Sequence, residues 1–217
     1  MKFFIDTANL EQIKEAATLG VLDGVTTNPS LMAKEGIKGE AAVLKHYVDI
    51  CNLVDGPVSA EVLSVDFEGM VREGEALAKL HKNIVVKIPM IKEGIKAIKY
   101  FSDKGIKTNC TLVFSAGQAL LAAKAGASMV SPFIGRIDDS NWDGVQLIEQ
   151  IVQVYENYGF GTEILAASIR SPLHIVQCAE AGADIATCPL SSIEGLFKHP
   201  LTDIGLAQFL MDAKKMG

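Results

Sequence analysis

Lys87 lies inside the apolar run Ile84–Pro89 (IVVKIP), which makes it the residue of this sequence best suited to covalent chemistry. Removal of an ammonium from water favours the neutral amine, and a neutral amine attacks carbonyl carbon. The same placement admits a purely structural reading, in which a carboxylate holds the lysine as an ion pair. Asp6 in KFFID and Glu61 in VSAEVL are the available partners. Glu61 sits within an apolar run, where a carboxylate is costly unless it is partnered or bridged to water. Asp6 stands just ahead of a helix expected to begin near Asn9, where a carboxylate often serves only as a cap or turn residue.

Other polar side chains recur at the ends of similar apolar runs. Thr26, Thr27 and Asn28 close DGVTTN, and Asn109 and Thr111 interrupt KTNCTLV. Ser131 and Phe133 lie in SMVSPF with Arg136 just beyond, while Ser168 ends EILAAS and is followed by Arg170. Residues two apart on a strand face the same side. Thr26 with Asn28, Asn109 with Thr111, and Ser131 with Phe133 can therefore each point into one pocket. An isolated arginine is usually a solvated salt-bridge partner. Arg136, Arg170 and Ser168 brought together could instead clamp a phosphate, because guanidinium and hydroxyl donors match phosphate oxygens.

These residues need a scaffold that gathers strand ends. Eight short runs read as strands: KFFID, DGVTTN, VSAEVL, NIVVKIP, KTNCTLV, SMVSPF, EILAAS and DIATCP. Between them lie stretches of helical spacing, including LEQIKEAATLG, EGIKAIKYFSDKG and DGVQLIEQIVQVYENYG. Gly20, Gly105, Gly126, Gly159 and Gly182 fall where left-handed helix ends are expected. The strands are apolar and rich in β-branched residues, as in a parallel sheet buried on both faces. A single (β/α)8 TIM barrel spanning 1–217 is the expected fold, with its chemistry at the C-terminal ends of the strands. A doubly wound open sheet is the alternative, but the first turn reads DTANL and carries no glycine-rich dinucleotide signature. The final stretch, PLTDIGLAQFLMDAKKMG, is an amphipathic helix beyond strand eight, placed to cover the barrel mouth or to dock on a neighbour.

Composition narrows the function further. The formal net charge is −6, which argues against a broad nucleic-acid surface while leaving room for a local anion pocket. The apolar run ahead of Asp6 is only three residues long, Phe3–Ile5, too short for a signal peptide, and no run reaches membrane-spanning length, so a cytoplasmic protein is expected. Cys51, Cys110, Cys178 and Cys188 form no CxxC pair and are expected to be reduced core thiols. The histidines are equally scattered, and no metal site is expected.

The fragments FIDTAN, GVTTNPS, VVKIP, SPFIGRID and LAASIR, in this order along essentially the whole chain, resemble the small transaldolase and fructose 6-phosphate aldolase family. The resemblance implies Schiff-base chemistry on a (β/α)8 barrel without metal or organic cofactor. Lys87 matches its Schiff-base lysine and Asp6 its acid/base carboxylate. Glu61 and Thr111 match groups that hold a catalytic water. Thr26, Asn28, Asn109, Ser131 and Phe133 fall at substrate positions, and Arg136, Ser168 and Arg170 fall where substrate phosphate is held. Sugar phosphates are the implied substrates, and a homo-pentamer or homo-decamer is the implied assembly. In the aldolase branch the positions of Glu61 and Phe133 are typically glutamine and tyrosine, so the residues present favour transaldolase. A fructose 6-phosphate aldolase and a noncatalytic phosphosugar-binding barrel, with Lys87 only an ion-pair partner, are the competing readings.

Overall fold

The strand-forming runs assemble in sequence order into one closed parallel barrel: β1 (Lys2–Asp6), β2 (Leu22–Thr26), β3 (Val58–Glu61), β4 (Ile84–Pro89), β5 (Thr108–Val113), β6 (Met129–Pro132), β7 (Glu163–Ala166) and β8 (Ile185–Cys188). The computed structural model describes residues 1–216. The expected TIM barrel is therefore present, with β1 pairing β8 to close the ring. The helices are α1 (Leu10–Thr18), α2 (Pro29–Lys34), α3 (Glu40–Cys51), α4 (Phe67–Ala78), α5 (Lys92–Asp103), α6 (Ala116–Lys124), α7 (Ile134–Asp138), α8 (Gly144–Tyr158), α9 (Pro172–Glu180), α10 (Leu190–Gly195) and α11 (Pro200–Met216).

Strand alternation divides the core in two. One set of strand side chains, including Ile5, Val25, Val58, Val86, Ile88, Cys110, Val130 and Ile164, joins helix residues such as Ile13, Ile50, Met70, Phe101 and Ile148 in the main buried cluster. The opposite set faces the barrel axis, where Phe4, Val85, Met129, Leu165 and Ile185 pack with Ala167. Gly24 makes room for that plug: a Cβ there would lie 2.6 Å from Phe4 Cζ. Two residues further along four of these strands the axis becomes polar, with Asp6 after Phe4, Lys87 after Val85, Ser131 after Met129 and Thr187 after Ile185. The apolar plug thus forms a floor beneath a polar mouth at the strands' C-terminal ends.

Local capping fixes the loops that bound this mouth. Asn9 caps α1 by accepting from Gln12 N, so Asp6 is not the cap of that helix. Asn28 caps α2, accepting from Leu31 N at 3.0 Å, and Pro29 sets the first helical φ. The five glycines expected at helix ends all have positive φ, from 62° at Gly159 to 90° at Gly182. Two non-glycine residues near the mouth share the left-handed region, Leu112 at φ 59° and Ser168 at φ 61°. Both sit just where β5 and β7 end, and such backbone strain concentrates at functional sites.

Candidate active site

Lys87 enters the mouth from β4 with only 4% of its surface exposed. Its Nζ donates to the Thr27 carbonyl oxygen at 3.0 Å and lies 3.1 Å from Glu61 Oε2. The register pairs Glu61 with Lys87 and Lys87 with Asn109, so three adjacent strands deliver these side chains side by side. The Glu61 contact is ionic, since its Oε2 meets no donor in hydrogen-bonding geometry. Leaving either charge alone at this depth would cost several kcal/mol, so the pair is a condition for folding Lys87 inward.

A cavity of about 100 Å³ opens above the lysine. Asp6, Thr26, Asn28, Ser131, Phe133, Arg136 and Ser168 line it together with Lys87, and so do Ala167 and Thr187. Asp6 Oδ1 accepts from Thr26 Oγ1 at 2.7 Å. Burial raises the Asp6 pKa above the ordinary carboxylate range, against the opposing pull of the Lys87 charge and the Thr26 hydrogen bond. An elevated carboxylate beside a buried amine is a pairing suited to proton transfer.

Asn109 and Thr111 stand apart from the cavity lining. Asn109 is fully buried, with Nδ2 donating to Ser59 Oγ at 3.1 Å and Oδ1 accepting from Ser131 Oγ at 2.7 Å. It therefore fixes Ser131 from below. Thr111 is also buried, and its Oγ1 has no hydrogen-bond partner among the described residues. Glu61 Oε2 is a second buried atom without one. Glu61 is braced from outside the barrel by α3, whose Tyr47 hydroxyl accepts from the Glu61 backbone amide at 3.2 Å. Burial pushes the Tyr47 pKa up to about 12, so that hydroxyl keeps its proton at neutral pH.

Of the arginines, Arg136 reaches the cavity and lies over the Phe133 ring, 4.9 Å from its centroid. Arg170 does not line the cavity. Its Nη2 donates to Asp139 Oδ2 at 2.7 Å, with both side chains more than half exposed. Gly135 allows this neighbourhood to close up, because a Cβ there would lie 2.1 Å from Ser168 O and 2.6 Å from Arg170 Nε. Arg136, Ser168 and Arg170 thus occupy one side of the mouth, with Arg170 held away by a surface ion pair.

The four cysteines are free and buried. Burial pushes Cys51 up to about 11 and Cys110, Cys178 and Cys188 up to about 12, so none offers a thiolate nucleophile at neutral pH. Thr187 and Ser59 are inward-facing polar residues that strand-end reasoning passed over. The signal was available in DIATCP and VSAEVL, where each hydroxyl lies two residues from another inward position.

The family model described as Transaldolase/Fructose-6-phosphate aldolase matches residues 3–216. The chain belongs to the transaldolase/fructose-6-phosphate aldolase family. Relatives include a protein of Phocaeicola vulgatus, 70% identical over 216 residues, covering 100% of this chain and 99% of its own. A Flavobacterium psychrophilum protein is 70% identical, with 99% of each chain covered, and a Porphyromonas gingivalis protein is 67% identical, covering 100% of this chain and 98% of its own. Each of these three is named a probable transaldolase. Among solved structures, a thiamine phosphate pyrophosphorylase from Pyrococcus furiosus superposes with a TM-score of 0.61 at 16% identity, covering 86% of this chain and 85% of its own. That likeness concerns the barrel alone. In this family member, the five motif fragments all map onto strand ends around one mouth.

Proposed function

We propose that the protein is a transaldolase that moves a dihydroxyacetone unit between sugar phosphates through a Schiff base on Lys87. The observation that carries this reading is the buried Lys87 amine, opening onto a polar cavity shared with Asp6. Family membership supports it. In the forward direction, sedoheptulose 7-phosphate donates to glyceraldehyde 3-phosphate, yielding erythrose 4-phosphate and fructose 6-phosphate as part of the non-oxidative pentose phosphate pathway. The reaction is reversible.

Lys87 passes its ammonium proton to the paired Glu61 carboxylate, the freed amine attacks the ketose C2, and loss of water gives an iminium. Glu61, 3.1 Å from Nζ, is placed to exchange protons during these steps, with Thr111 holding a water beside it. Asp6 then takes the C4 hydroxyl proton. The C3–C4 bond breaks, its electrons flow into the iminium, and the aldose phosphate departs. The enamine left on Lys87 adds to the incoming aldehyde, and water hydrolyses the new Schiff base. A cavity of about 100 Å³ suits the retained three-carbon unit, so the phosphorylated aldose must extend across the mouth. Arg136 and Ser168 receive its phosphate there, and Arg170 joins them on leaving Asp139. Thr26, Asn28, Asn109, Ser131 and Phe133 shape the sugar site.

The working form is a homo-oligomer, a pentamer or decamer, in the cytoplasm. Helix α11 supports assembly: none of its residues is buried, and Leu201, Ile204, Leu206, Phe209, Leu210 and Met211 are all exposed. Among the described residues no helix is long and apolar enough to cross a membrane. Two other readings compete. Release of free dihydroxyacetone would make the protein an aldolase, and the Lys87–Glu61 pair alone is what a noncatalytic phosphosugar-binding barrel would also need. Incubation with fructose 6-phosphate, with and without erythrose 4-phosphate, separates them. The expected result is sedoheptulose 7-phosphate when acceptor is present and little free dihydroxyacetone when it is absent. Efficient acceptor-independent release overturns the transaldolase assignment, and no turnover under either condition overturns both enzymatic readings.

A further inference from the structure

Thr187, on β8, is 2% exposed, and its hydroxyl oxygen lies 2.6 Å from Thr26 Oγ1. The direction of that hydrogen bond follows from counting protons. Thr26 Oγ1 donates its single proton to Asp6 Oδ1 across 2.7 Å, as it must whenever Asp6 is ionised to act as the base. Thr26 can then only accept from its other neighbour, and Thr187 must be the donor. A directed chain runs from Thr187 through Thr26 to Asp6.

We propose that Thr187 is a positioning residue for Asp6: by donating to Thr26 it orients the hydroxyl that holds Oδ1, and so leaves Oδ2 to take the substrate proton. The inference rests on Asp6 being the base of the carbon–carbon cleavage. Two barrel contacts make the arrangement rigid. β8 pairs with β1, placing Thr187 in register with Phe4, two residues before Asp6 on the same face. β2 pairs with β1 on the other side, with Thr26 in register with Asp6. Thr187 thus reaches across from one flank of β1 to the residue that grips Asp6 from the other. Thr187 also faces the cavity, where its oxygen lone pairs can accept a substrate hydroxyl.

Other charged or titratable groups around Asp6 are Lys87 from β4, Glu61 beside Lys87 on β3, Arg136 from α7 and the Cys188 thiol from β8. None of them hydrogen-bonds to Oδ1, which accepts only from Thr26 among the described residues. Removal of the Thr187 donor therefore weakens the one hydrogen bond that stabilises the Asp6 carboxylate. The acidic limb of the rate profile, which reports ionisation of the base, must then move to higher pH.

The test uses the full chain in the transfer assay. Thr187→Val keeps the shape and removes the donor; kcat is expected to fall about three- to tenfold and the acidic limb to shift upward. Thr187→Ser restores the hydroxyl and is expected to recover both. Should Thr187→Val fail to fold, Thr187→Cys fills similar space with a poor donor and is expected to show the same shift. An unmoved acidic limb in the donor-poor variant overturns the inference, as does a serine variant no better than valine, since that outcome marks a packing role. Asp6→Asn, measured alongside, distinguishes the premise: carbon–carbon cleavage surviving that change overturns Asp6 as the base, whereas its loss combined with a silent Thr187→Val overturns only the Thr187 chain.

Discussion

Lys87 and Glu61 are register partners on adjacent strands, and their charged ends meet 3.1 Å apart at the base of the cavity. Each is the condition for burying the other. Lys87→Met removes the nucleophile and also strands the Glu61 carboxylate, so it is expected to abolish transfer and cost about 3–5 kcal/mol of stability in urea unfolding. Lys87→Met with Glu61→Gln removes both charges and is expected to recover most of that stability while staying inactive. A double variant no more stable than the single one contradicts the coupling.

Asp6 is a carboxylate held at a cost. Its pKa is raised by burial, so the folded protein binds this proton more tightly than the unfolded chain does. The stability from this group is complete below the unfolded-state value and is lost as pH rises through the raised folded-state value. Above the raised folded-state value the ionised side chain therefore weakens the fold. Asp6→Asn is expected to lower transfer at least about 100-fold and to raise the melting temperature at pH 7 by about 2–4 °C. Below the unfolded-state value the stability gain should vanish. A melting temperature that falls at neutral pH contradicts this reading.

The three phosphate candidates are unequal in the structure. Arg136 faces the cavity, whereas Arg170 is paired with Asp139. Arg136→Ala is expected to raise KM for erythrose 4-phosphate about 10- to 100-fold, with little change for unphosphorylated glyceraldehyde as acceptor. Asp139→Asn releases Arg170 from an exposed ion pair and should lower KM by about two- to fivefold. Steady-state kinetics with both acceptors checks this pattern, and equal effects on the two acceptors contradict a phosphate role.

Helix α11 leaves its apolar residues without cover. A chain ending at Lys198 is expected to sediment as a monomer, while the full chain sediments as an oligomer. The result is contradicted by a full-length monomer, or by a truncated chain that keeps its assembly.

Much of this was legible in the sequence because a barrel writes its topology locally. β-Branched runs such as IVVKIP and the helix-ending glycines each mark an element without reference to distant residues. α2, α7 and α10 were harder to see, since five or six residues give too little of a 3.6-residue period to stand out. At the site, parity placed Thr26 with Asn28 and Ser131 with Phe133 in one cavity, as the structure has them. What parity could not supply was the pairing. Lys87 chose Glu61 over Asp6 because of the β3–β4 register, and Arg170 meets Asp139 across a separation of 31 residues. Thr187 was missed because one threonine in an apolar strand looks like ordinary β propensity until its partner is known. The left-handed Leu112 and Ser168 had no signal either, as neither residue type favours that conformation.

Capture of the ketose by Lys87 is the step on which everything else depends, and reduction with borohydride makes it permanent. The protein is treated with fructose 6-phosphate and borohydride, digested, and mapped by mass spectrometry, with Lys87→Met as the control. The expected result is a reduced dihydroxyacetone or hexose adduct on the peptide containing Lys87, absent from the control. No adduct at saturating substrate, or an adduct confined to another lysine, contradicts Lys87 as the nucleophile.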